Sequence, residues 1–152
     1  MRRNRIVLFR RIMMIAVMIV IFFFSRQSGS ASRAISRMVA GLLGIKPSAG
    51  MTDIDTVPLM MGLNIRKYGH IFIFLLMGFF TFFSVDRKRG LPLQLIFGIG
   101  FSYIYACLDE IHQMFVDGRA GMFSDTLIDL GGIIAGVLLA LLIQTVINRK
   151  KT

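Results

Sequence analysis

The chain has 152 residues, 55% of them apolar, and carries 18 Lys and Arg against 8 Asp and Glu, a formal net charge of +10. A soluble domain of this length disperses its apolar residues with a short period, whereas here they form blocks, which excludes an ordinary water-soluble core. A basic balance suits nucleic acid through counterion release; here, however, eleven basic residues flank the apolar blocks on one side, as the positive-inside rule expects of a membrane protein.

Arg2, Arg3, Arg5, Arg10 and Arg11 lead into the first apolar block at 12–24. About 20 residues at 1.5 Å rise cross a bilayer core of roughly 30 Å. The block reaches that length as a span over about 8–27, with Arg10 and Arg11 snorkelling to the surface. The same stretch also fits a cleaved signal peptide, with Gly29-Ser30-Ala31 as the small residues after an apolar segment. An even number of spans agrees better with the basic C-terminal tail, so a retained span is expected.

Residues 25–66 form a long loop. Within it Ile35, Met38, Val39, Leu42 and Leu43 recur at helical spacing, and Ser32, Arg33, Ser36 and Arg37 take the other face. This predicts an amphipathic helix over about 31–45 that lies in the membrane interface, packs on the bundle as a lid, or does both. Gly44 and Lys46-Pro47 end it, and Asp53 and Asp55 read as solvated loop carboxylates or a helix cap.

Further spans are expected at about 68–85, 91–109 and 127–147. Arg87-Lys88-Arg89 make the turn between the second and third, and Arg149, Lys150 and Lys151 follow the fourth. The lone Cys107 excludes an internal disulfide and reads as a small buried hydrophobe. The fold class is therefore all-α: a single membrane domain over 1–152, a four-transmembrane-helix bundle with an interfacial amphipathic helix in the outer loop. Both termini are expected on the cytoplasmic side.

Five of the eight acidic residues lie between 109 and 129, wedged between apolar blocks. An ionisable residue at membrane depth costs about 2.5–3.5 kcal/mol on insertion scales, so such a cluster needs partners or a function. At 100° per residue, Tyr105, Asp109, Glu110, His112 and Gln113 fit an arc of about 160° on the third span, leaving Ile104, Leu108 and Ile111 for lipid. On the fourth span Asp125 and Asp129 share one narrow stripe with Gly132-x-x-x-Gly136, a small-residue pair that lets helix backbones approach closely. On the second, Arg66 and Lys67 share a face with His70, with Gly78 below. One outer-leaflet pocket is thus expected to collect Lys67, His70, Asp109, Glu110, His112, Gln113, Arg119, Asp125 and Asp129.

These residues give the chain a resemblance to the VanZ-like membrane proteins of bacteria. The pattern is Lys67-Tyr68-Gly69-His70, then Glu110-x2-Gln113-x-Phe115-x3-Arg119-x5-Asp125-x3-Asp129-x2-Gly132, and it covers roughly residues 66–140. Two positions depart from the family pattern: Asp129 adds a charge where Asn also occurs, and Asp117 stands where Pro often precedes the Gly-Arg. The resemblance implies a multi-pass protein of the bacterial cell membrane and a link to resistance against lipidated glycopeptides such as teicoplanin. It implies no particular reaction.

Three functions fit the constellation. In an enzyme acting on a lipid-linked or cell-wall substrate, Glu110 serves as general base, His70 orients or donates, and Asp125 supplies a neighbouring acid. Lys67 and Arg119 clamp an anionic group, with Gln113, Asp109, His112 and Asp129 lining the substrate site. In a non-catalytic binder the same pocket holds a lipid headgroup or cell-wall precursor. In a structural reading the charges neutralise one another and fix helix register. Asp, Glu and His are also metal ligands, but Glu-x-His is not the His-Glu-x-x-His pattern, so no metal and no cofactor is assigned. No nucleic-acid partner is expected. A transporter is disfavoured because the polarity lies at one end only.

Overall fold

The computed structural model describes residues 2–44, 65–119 and 121–149, all helix, turn or connecting backbone, with no strand among them. Helix α1 runs over Arg2–Ser25, α2 over Gly29–Leu42, α3 over Ile65–Ser84, α4 over Leu91–Gln113 and α5 over Phe123–Arg149. All but α2 are long and apolar enough to cross a membrane. They turn apolar residues outward: Ile12, Ile15, Ile19, Phe23, Ile104, Leu108 and Leu138 are all half exposed or more. Water-soluble proteins place charge there, so the architecture is that of a multi-pass membrane protein. Asp53 and Asp55 lie outside the described residues.

Helix α3 is the hub and packs most extensively on α5. Phe74, Met77, Phe82, Ala106, Ile133 and Ala140 are fully buried around it. The α3–α5 approach is set by missing side chains. A Cβ on Gly132 would meet the Ile71 carbonyl, one on Gly136 the Leu75 carbonyl, and one on Gly78 would come within 2.5 Å of the Ile133 carbonyl oxygen. The small-residue stripe expected on the fourth span therefore faces the second, and Gly78 answers it from the other side.

Helix α4 contains a π-helical segment, Ile96–Phe101. There Gly98 lets the backbone close on Phe82 and Val137. A π segment shifts the phase between the helix on either side of it, but Tyr105 to Gln113 lie beyond it, so their wheel angles hold. At the arginine-rich end, Arg87 Nη2 donates to Asn148 Oδ1 at 2.6 Å and to the Gln144 carbonyl at 3.2 Å. Gln94, 1% exposed, exchanges amide hydrogen bonds with Gln144 at 3.0 and 3.4 Å. Arg11 Nε donates to the Ser84 carbonyl at 3.2 Å, and Arg10 lies 4.8 Å over the Phe83 ring. Each contact ties a charged or amide group to backbone, amide or ring at a helix end.

Helix α2 begins earlier than expected because Ser28 caps it, its hydroxyl accepting from Ala31 N–H at 3.3 Å. Its buried face corrects the amphipathic reading. Gly29, Ser32, Ser36 and Ala40 seat it on the bundle, so Ser32 and Ser36, which share the polar face with Arg33 and Arg37 in the sequence pattern, are the residues that pack inward. Met38 and Leu42 are 68% and 77% exposed. Small residues allow a close seat, and the exposed apolar edge is the part an interface takes up. The N-terminus of α2 is pinned by Gly29 N–H donating to the Asp117 carbonyl at 3.0 Å.

Candidate functional site

The polar residues gather where the C-termini of α1 and α4 meet the N-termini of α3 and α5. Helix α4 delivers Asp109, Glu110 and Gln113, all buried. They stand there because the apolar arc of α4, Ile104, Leu108 and Ile111, is the one turned outward. Asp109 faces α1: Ser25 Oγ donates to Oδ1 at 2.5 Å, and Gln113 Nε2 donates to Oδ2 at 2.8 Å. Gln113 lies one turn from Asp109 on the same face, so the two hold each other and Ser25 from a single helix. These charge-assisted hydrogen bonds are the kind that make a buried carboxylate affordable.

Glu110 turns the other way. Its Oε2 accepts from Met122 N–H at 3.1 Å, just ahead of α5. The chain comes that close because residue 121 is glycine, whose Cβ would run into the Glu110 carbonyl at 2.5 Å.

Helix α5 presents Asp125 and, one turn deeper, Asp129. Asp125 sits at the rim, with Lys67 Nζ 3.0 Å from Oδ1 and Arg66 Nη2 3.9 Å from Oδ2. Asp129 is fully buried and faces His70, whose Nδ1 lies 3.4 Å from Oδ1. The His70 ring stacks on Phe74 one turn along α3, with centroids 6.2 Å apart, which fixes its plane. Single ligand atoms of His70, Glu110 and Asp129 all lie within 4.8 Å of one another. Three helices thus converge on one point.

Beside this point lies a cavity of about 760 Å³ between α1, α2 and α3. Its walls are apolar, with Ile21, Phe24, Ile35, Val39, Phe72 and Ile73 among them. Polar residues in its lining include Ser25, Ser32, Ser36, Arg66, His70 and Arg119. His70 therefore belongs to both the buried cluster and the cavity wall.

Of the nine residues picked from the sequence, Lys67, His70, Asp109, Glu110, Gln113, Asp125 and Asp129 meet at this end of the bundle. Arg119 stands at the cavity edge, where Nη2 donates to the Phe24 carbonyl at 3.1 Å. His112 is not brought to the cluster: its ring packs on Phe22 of α1 at 5.3 Å between centroids. The 160° arc that held it is wide enough to face two neighbours, and His112 and Glu110 occupy opposite edges of that arc. Ser25 was missed, since a serine closing an apolar block carries no signal until its partner is known. Arg66 was noted only as sharing a face with His70.

The VanZ/LLP1 family model matches residues 11–144. No curated protein matches the chain, and no solved structure does.

Proposed function

The chain belongs to the VanZ/LLP1 family, and we propose that it binds an anionic amphiphile, a lipid-linked or cell-envelope ligand, and acts on its head group at the polar end of the bundle. The observation that carries this reading is that an apolar cavity of about 760 Å³ has His70 in its lining, and His70 also meets buried Asp129. The cavity suits a hydrocarbon chain, and Lys67, Arg66 and Arg119 supply positive charge at the rim for phosphate or carboxylate. Glu110, held by one backbone N–H, is the general base, with His70 orienting or donating and Asp125 setting the charge of the rim.

By the positive-inside rule the arginine-rich end, with both termini, lies in the cytoplasm, and the polar site opens to the outer leaflet of a bacterial cell membrane. A lipidated glycopeptide presents the same pairing of apolar chain and polar head, so reduced teicoplanin susceptibility is the phenotype to look for.

The test uses the full chain purified in detergent and titrated with dodecyl phosphate or dodecanol, with bound ligand read by native mass spectrometry. Dodecyl phosphate is expected to bind at least tenfold tighter, a difference of about 1.4 kcal/mol, and Lys67→Met and Arg119→Met remove that preference. Glu110→Gln keeps the binding and loses the teicoplanin phenotype in cells. Equal binding of the two probes by the wild type overturns the reading. A fully active Glu110→Gln removes the acid–base step and leaves a binder.

A further inference from the structure

Three of the acids at this end of the bundle differ in how they are satisfied. Asp109 has Ser25 and Gln113, and Asp125 has Lys67 with Arg66 beyond it. Asp129 is fully buried, yet neither of its carboxylate oxygens accepts a hydrogen bond. His70 Nδ1, its only ion-pair neighbour among the described residues, is 3.4 Å away and buried without a hydrogen bond of its own. Leaving a buried polar group unmatched costs about 1–3 kcal/mol, and more for a charged one. A buried carboxylate with one loose contact to His70 on Oδ1 and no partner on Oδ2 among the described residues points to a ligand.

We propose that His70, Glu110 and Asp129 form a binding site for one divalent first-row metal ion. Two carboxylates and a neutral imidazole carry a charge of −2, which a divalent ion cancels where water does not reach. The spacing agrees. Bonds of about 2.1 Å in a tetrahedral arrangement place neighbouring ligand atoms about 3.4 Å apart, the separation found between His70 Nδ1 and Asp129 Oδ1. All three ligand atoms lie within 4.8 Å of one another, so closing the triad to the roughly 3.4 Å of tetrahedral neighbours takes side-chain shifts of at most about 1.4 Å.

One nitrogen and two oxygens suit Mn²⁺, Fe²⁺ or Zn²⁺ better than a soft ion that wants sulfur. Three protein ligands are also the number that leaves a position open for water or substrate. The ligands come from α3, α4 and α5, with no pair close in sequence, which is why no metal motif announces them. With a metal bound, Glu110 and His70 act as its ligands in place of the acid–base roles proposed above, and the Met122 N–H on Glu110 and the Phe74 ring against His70 then orient them.

The inference rests on this pocket being the working site, but metal alone tests it. Full-length protein is purified in detergent on a histidine-free tag, stripped with chelator and titrated with Mn²⁺ by electron paramagnetic resonance. One Mn²⁺ per chain is expected, displaced by Zn²⁺ in line with the Irving–Williams order, with nitrogen coupling from one imidazole. His70→Gln and Asp129→Asn each weaken binding at least tenfold. His112→Gln, which removes the only other histidine, changes neither affinity nor coupling.

Folding is followed by size exclusion and helical circular dichroism. A folded wild type that takes up neither Mn²⁺ nor Zn²⁺, or a folded His70→Gln that binds as the wild type does, overturns the inference. Should the ligand variants not fold, nitrogen coupling in the wild type and in His112→Gln decides: its presence supports the site and its absence refutes it. A protein that binds dodecyl phosphate but no metal sinks this inference alone. One that binds metal but neither amphiphile sinks only the proposed function.

Discussion

Gly78→Ala probes the contact on which the site is built. The new methyl would stand 2.5 Å from the Ile133 carbonyl oxygen and 3.1 Å from the Ile133 carbonyl carbon and Cα, all backbone, where ordinary contact begins near 3.4 Å. Backbone inside a helix cannot swing aside as a side chain does, so α3 and α5 must separate locally by about 0.9 Å, the difference between 3.4 and 2.5 Å. Overpacking of this kind costs about 1–3 kcal/mol, while Gly→Ala in a helix by itself gains up to about 1 kcal/mol. Gly131→Ala and Gly69→Ala supply the baseline, because a Cβ at either meets nothing within 4 Å. In equilibrium unfolding from detergent micelles, Gly78→Ala is expected to fall about 1–3 kcal/mol below both controls, which stay at or above wild type. His70 and Asp129 lie on the same interface, so Gly78→Ala also loses ligand binding and the controls do not. Equal stability of Gly78→Ala and Gly131→Ala refutes the close α3–α5 register and, with it, the juxtaposition of His70 and Asp129.

Two further substitutions test the ends of the bundle. Ser25→Ala strips Asp109 of the 2.5 Å hydroxyl donor that joins α1 to α4; a hydrogen bond to a charged group contributes about 1.5–3 kcal/mol, and chemical unfolding in micelles should show a loss in that range, with Ser25→Thr recovering part of it. Gln144→Leu leaves the amide of Gln94 buried without its side-chain partner, at about 1–3 kcal/mol. The double variant Gln94→Leu/Gln144→Leu removes both amides and returns close to wild-type stability, so a double-mutant cycle showing simple additivity would refute the pairing.

The four long helices were legible because lipid demands about 20 apolar residues in a row, but hydropathy marks the lipid-facing part of a helix and not its ends. It placed the second, third and fourth spans at about 68–85, 91–109 and 127–147. The helices are Ile65–Ser84, Leu91–Gln113 and Phe123–Arg149. The turns it left off carry Arg66 and Lys67, then Glu110 and Gln113, then Asp125: polar residues that are helical because they face one another. Angular counting recovered what hydropathy discarded, since a helix keeps its phase from Tyr105 to Gln113 and from Asp125 to Gly136. It could not say which neighbour each angle faces, and so placed His112 with Glu110 when Phe22 lay across from it. Nor could it find the π segment, whose apolar sequence Ile96–Phe101 has no helical breaker but glycine, or the serine seat of α2, where small residues bury because they are small.

The arrangement of charge along α5 gives the site its direction. Asp125 and Asp129 are four residues apart, a separation of about 6 Å along the axis. The upper one is met by two cations, each about a quarter exposed; the lower is fully buried against a histidine. Charge that attracts an anionic head belongs at the rim, where Lys67 and Arg66 remain hydrated and lose little by exchanging Asp125 for a ligand oxygen. Groups that transfer a proton or hold a metal belong a turn deeper, where a lower dielectric strengthens each electrostatic contact. Had the carboxylates served only to fix helix register, each would gain most from a full set of donors, as Asp109 has. On the proposed reading, the incomplete satisfaction of Asp129 marks a site and not a strut, and its neighbour His70 also lines the apolar cavity.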